Sequence, residues 1–207
     1  MAKPPLLLFG FGPFLQFDEN PSEKVARSLN GSSSNGHKII GKVLPVDYHL
    51  VGRAIMKEIE KCEPAVVLGT GLAAGRSLLG VEKIAVNYKY SEEPDNKGST
   101  EKGALIEEGG PEGIFSNLQT EKTVELLNRR GIPAALSLSA GAYLCNCAMY
   151  VIVRQASKNG FAGGFVHLPC DEQMASRKEF RRYPFMNLES MIRGIRIVLQ
   201  NGLKSEP

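Results

Sequence analysis

Residues 139–150 read SAGAYLCNCAMY, and they follow the apolar run at residues 134–138. Small residues (Ser139, Ala140, Gly141, Ala142) make a turn, and a helical pattern starts directly after it. A strand handing over to a helix through so tight a turn is the building step of an α/β fold. Cys145 then falls at the helix N-terminus, where unpaired N–H groups and the helix dipole favour thiolate over thiol. The alternative is a small buried cysteine with no chemistry, the commoner fate of a free thiol.

Working outward from that stretch, the same grammar recurs. Leu6 to Phe9 is a continuous apolar run ending at Gly10, as expected of a strand buried on both faces. Asn20, Pro21 and Glu23 give a helix start with a reciprocal cap. Ile39 to Val46 predicts a strand, and Asp47 caps a helix whose apolar face carries Leu50, Ala54, Ile55, Ile59 and Cys62. Ala65 to Leu68 is another buried strand, and the turn from Gly69 to Gly80 is rich in glycine. Val81 to Asn87 alternates as one strand, with Glu82 sharing a face with Ile84 and Val86. A carboxylate on such a face needs a partner.

Residues 88–119 show no sustained period and predict a long loop, a functional or oligomer-forming segment. Thr120 caps a helix to Arg130, the Cys145 helix runs to Lys158, and Phe165 to Leu168 is a short strand ending at Pro169. Asn187 caps a last helix burying Leu188, Met191, Ile192, Ile195, Val198 and Leu199. Strands alternating with helices predict one three-layer α/β/α domain over residues 1–207, with a mostly parallel central sheet. Sites in such folds gather at the carboxyl ends of strands.

Composition narrows the function. A net charge of +3 without a Lys/Arg block gives no footprint for nucleic acid or a membrane surface, and the apolar start is too short to span a bilayer. A cytoplasmic protein with reduced cysteines is expected, because four cysteines in 207 residues do not make a secreted disulfide framework. Of the three histidines, His37 and His49 fall in polar surroundings, and His167 ends an apolar strand. Glu82, His167 and Cys145 have the residue types of a nucleophile, its base and an orienting carboxylate. Two other readings are weaker. Cys145, Cys147, His167 and Cys170 offer zinc ligand types without the usual spacing. Gly10-Phe11-Gly12 lacks the third glycine of a dinucleotide loop, since Leu15 stands there.

Jointly, GFGPF with Asn20-Pro21-Ser22, GLAAGR (71–76), VEKIAVN (81–87), PDN (94–96), GIPAALSLSAG (131–141), AYLCN (142–146) and GFVHLP (164–169) resemble the pyroglutamyl peptidase type I family of cysteine peptidases. The resemblance implies removal of an N-terminal pyroglutamyl residue from peptides, with no metal or cofactor. It puts the nucleophile at Cys145, the base at His167 and the carboxylate at Glu82. It also puts pocket aromatics at Phe11 and Phe14 and further substrate contacts at Leu72 and Leu144, and it implies a cytosolic homo-oligomer. Four positions depart from the family pattern. Leu15 and Gln16 stand where two glycines are usual, and Glu92-Glu93 stands where Arg-Ile is typical. A retained triad with reduced rate or altered specificity is the expectation. The reading from another class is a non-catalytic lactam-binding protein that keeps the pocket.

Overall fold

The apolar run at the start of the chain becomes β1 (Leu6–Phe11), buried at every residue, in a computed structural model that describes residues 3–204. α1 (Pro21–Leu29) follows, with the Asn20 side chain accepting from Ser22 N as its cap. Then come β2 (Ser33–Ser34), β3 (His37–Leu44), α2 (Val51–Cys62) and β4 (Val66–Leu72). Short strands succeed one another as β5 (Leu79–Glu82), β6 (Ile84–Val86), β7 (Lys89–Ser91), β8 (Glu101–Ala104) and β9 (Gly113–Phe115). α3 (Thr120–Arg129), β10 (Ala134–Ser137), α4 (Leu144–Asn159) and β11 (Ala162–Leu168) follow. The chain closes with α5 (Glu172–Ser176) and α6 (Leu188–Gly202).

The main sheet has the order β10-β5-β11-β4-β1-β3-β2. Its alternating side chains feed two cores. Leu6, Leu8, Val66 and Leu68 pack under α1, α3 and α6, whereas Leu7, Phe9, Val67 and Phe165 pack under α2 and α4. Helices therefore cover both faces, giving the three layers that the alternation of elements predicts.

The strands do not all run one way. β11, β4, β1 and β3 are parallel neighbours, but β5 pairs antiparallel with β11 and carries β10 with it. The carboxyl ends of the strands therefore do not all point the same way. Phe11, Leu72 and His167 lie at or next to such ends of one parallel block, while Glu82 enters from the opposite direction.

Other differences have local causes. Residues 81–87 are not one strand: Lys83 breaks the run, its N–H donating to Ser137 O, and β6 pairs instead with β9. Residues 88–119 are not a plain loop, because β7 pairs with β8 and β9 lies within them. These ribbons are largely open to solvent, so they carry no apolar period to read. The Asp47 carboxylate caps a turn, accepting from His49 N and Leu50 N, and α2 starts only at Val51 with Leu50 left 45% exposed. Thr120 is the first helical residue of α3, with Gln119 as its N-cap.

Candidate active site

β5 and β11 bring Glu82 and His167 together. Phe165 is the register partner of Glu82 and shares a sheet face with His167, so all three side chains point toward α4. Glu82 Oε1 lies 2.7 Å from His167 Nδ1. It also accepts from Arg76 Nη1 at 2.8 Å, and Arg76 Nη2 reaches Ser137 Oγ at 3.2 Å. Glu82 is fully buried and His167 is nearly so. Burial pushes the Glu82 carboxyl up, but the His167 hydrogen bond and charge, with the nearby Ser137 hydroxyl and Arg76 guanidinium, hold it below the usual carboxylate range. The carboxylate is therefore ionised at neutral pH and fixes the ring so that Nε2 faces away from it.

Cys145 sits one residue into α4, whose N-cap Tyr143 supplies no side-chain cap. The N–H groups of Leu144, Cys145 and Asn146 find no protein acceptor among the described residues, and the first bond of the turn is Cys147 N to Tyr143 O. These groups are free donors at the positive end of a helix. Asn146 anchors that end: its amide accepts from Val86 N and donates to Val86 O and Tyr88 O.

The sulfur rests on β4. A Cβ built on Gly71 would lie 2.6 Å from Cys145 Sγ, and Gly71 is the register partner of His167 on the neighbouring strand. Glycine at 71 thus lets α4 approach the sheet, with the sulfur over the residue paired with His167. Gly71→Ala is expected to displace the sulfur and lower kcat by about a hundredfold. Unchanged kcat in a folded variant would show that this close approach is irrelevant to the chemistry.

The thiol is not a resting thiolate. Burial, then Cys147 and Glu82, push Cys145 up to about 12, and Arg76 offsets only part of this. The expectation from the helix N-terminus is corrected: a dipole contributes at most about 2 kcal/mol, and desolvation of a packed sulfur outweighs it.

A small apolar cleft of about 20 Å³ lies beside the sulfur. Phe11, Phe14, Leu72, Leu144 and Cys145 line it, together with Asn20, Val46 and Tyr143. All four substrate-contact positions expected from the sequence are thus gathered around Cys145. Leu15, at the tip of a turn closed by the paired Phe14 and Phe17, has a φ of 49° and is 40% exposed, so it stands outside the cavity lining. Among the described residues no three His, Cys, Asp or Glu side chains cluster to hold a metal ion.

Sequence reasoning missed Arg76, Ser137 and Asn146. Arg76 had a signal, being the one charged residue in the glycine-rich turn. Gly80 makes room for it, since a Cβ there would lie 1.9 Å from Nη1.

A family model described as pyroglutamyl peptidase matches residues 5–205. A pyrrolidone-carboxylate peptidase of Saccharolobus islandicus is 49% identical over 195 residues, covering 94% of this chain and 93% of that protein. Pyrrolidone-carboxylate peptidase 1 of Saccharolobus solfataricus is 47% identical over 205 residues, 97% of each chain. A mutant pyrrolidone carboxyl peptidase from Pyrococcus furiosus superposes with a TM-score of 0.92 at 33% identity, covering 97% of this chain and 98% of that one. No helix among the described residues is long and apolar enough to cross a membrane. With its matched length, its sheet and its motifs in agreement, the chain belongs to the pyroglutamyl peptidase family.

Proposed function

We propose that this protein is a cysteine exopeptidase that removes an N-terminal pyroglutamyl residue from peptides. The observation that carries the reading is the 2.7 Å contact of His167 Nδ1 with the buried Glu82, beside a sulfur that opens on an apolar slot. The flat lactam ring enters the slot between Phe11, Phe14, Leu72 and Leu144, which widens from its resting volume of about 20 Å³ to admit it. His167 takes the Cys145 proton as Sγ attacks the acyl carbon, because a thiol this far from ionisation must lose its proton during attack. The first-turn N–H groups of α4 hold the developing oxyanion. The C–N bond then breaks, the amine leaves with the proton from His167, and a pyroglutamyl thioester remains. Water, deprotonated by His167, attacks that thioester, and pyroglutamate leaves as the thiol is restored.

The reading extends to a cytoplasmic homo-oligomer. Its support is that all four cysteines are free and that Tyr88, Tyr90 and Phe115 are exposed on the small ribbons, as apolar side chains kept for subunit contacts would be.

Purified protein is expected to hydrolyse a pyroglutamyl amide and to leave the glutamyl and prolyl amides intact, with a stoichiometric acyl adduct on Cys145 when the reaction is quenched early and examined by mass spectrometry. Lactam binding without adduct or product would replace the enzyme by a non-catalytic binding protein.

A further inference from the structure

Residues 90–96 are fastened by hydrogen bonds to residues that wall the cavity and to their chain neighbours. Tyr90 N donates to Ala142 O at 3.0 Å and Asn96 N to Val46 O at 3.0 Å. Tyr143 Oη donates to Pro94 O at 2.9 Å, and Asn96 Nδ2 to Pro13 O at 2.9 Å. Val46 and Tyr143 line the cavity, and Pro13 precedes Phe14, which lines it too.

Three acids lie in this stretch, and only one is used by the fold. Asp95 is buried and accepts from Tyr48 N, Lys97 N and Ser99 N. Burial pushes its carboxyl up, but those N–H groups outweigh it and hold it below the usual range. Glu92 and Glu93 are exposed, and among the described residues neither carboxylate has an ion-pair or hydrogen-bond partner; Glu93 meets Ser91 only through its backbone. The nearby Lys89 is already paired with Glu101 at 3.0 Å. Tyr143 shows how close these charges come: after burial, the charges of Asp95, Cys145 and Glu93 push its phenol up to about 12.

We propose that Glu92 and Glu93 are specificity-determining residues that select peptides carrying Lys or Arg directly after the pyroglutamyl residue. The proposal rests on the exopeptidase reading above. The lactam is uncharged and fills the apolar slot, so the rest of the substrate must leave through the mouth. An extended chain advances about 3.5 Å per residue, which keeps the next side chains beside residues 90–96. Two unpaired carboxylates there attract a cationic leaving peptide and repel an acidic one, with a strength that salt reduces.

The test compares kcat/KM for pGlu-Lys-Ala, pGlu-Ala-Ala and pGlu-Glu-Ala in wild type and in an E92Q/E93Q double variant, whose changes lie on an exposed loop. The lysyl peptide is expected to be favoured over the glutamyl one by about tenfold at low ionic strength. The ratio should shrink in about 1 M salt and approach parity in the double variant. Parity in wild type, or a preference that survives both glutamines, overturns the proposal while leaving pGlu-Ala-Ala cleavage intact. Failure of wild type to cleave any of the three overturns the exopeptidase reading and this one with it.

Discussion

Cys145→Ala is expected to lower kcat on a pyroglutamyl amide by about 10⁵-fold without unfolding the protein. Removing the sulfur empties a space no larger than one atom over Gly71 and leaves an Ala whose Cβ needs no rearrangement, so melting temperature changes little. The slot keeps Phe11, Phe14, Leu72 and Leu144, so lactam binding survives and the loss falls on kcat rather than KM. Cys147 gives no rescue. It is buried and faces a different cavity, shared with Tyr48, Tyr150 and Arg154, and burial pushes its own thiol up to about 12. Steady-state kinetics with a thermal melt on the same preparation decides the matter; activity within tenfold of wild type would remove Cys145 from the nucleophile's place.

Glu82→Gln should cost about 10³- to 10⁴-fold in kcat with the shape of the site retained. Glu82 Oε1 now serves two donors, Arg76 Nη1 at 2.8 Å and His167 Nδ1 at 2.7 Å. In the amide the one oxygen can keep both donors, with NH₂ in the place of the unpartnered Oε2, but the negative charge facing the ring is gone. The imidazolium that forms when His167 takes the thiol proton then lacks its counter-charge, so that proton transfer becomes costly. The nitrogen chemical shifts of the imidazole report the loss of that charge, and a variant with wild-type shifts and wild-type kcat would show that the carboxylate is only structural. The stability side has a definite sign. A carboxyl held below its unfolded value stabilises the fold above the unfolded pKa of about 4.3 and loses that contribution as pH falls through the folded value. The glutamine variant should therefore show a flatter acid limb in thermal melts below about pH 5.

Much of this site was legible before any coordinates. Cys145 announced itself by small residues before a helical pattern, His167 by its apolar strand, and Glu82 by a charge on an apolar face. What tied them was less visible. The antiparallel entry of β5 is a pairing between residues 85 positions apart in sequence, and no local pattern encodes it. Resting protonation of Cys145 was misread because a helix start is local information, whereas burial depends on Gly71 and Phe165 arriving from two other strands. The small ribbons escaped notice for the opposite reason, being too exposed to need an apolar alternation.

The seam between β5 and β11 is held by just three residue pairs, Phe165 with Glu82, Val166 with Val81 and His167 with Gly80. A slip of one residue there would turn Glu82 to the opposite side of the sheet, among the apolar side chains under α3 and α6. Strand content would hardly change, yet His167 would lose its carboxylate. Correct assembly of the sheet and competence of the imidazole are one event in this protein, so turnover reports on folding fidelity at a place where spectroscopic measures of secondary structure are blind.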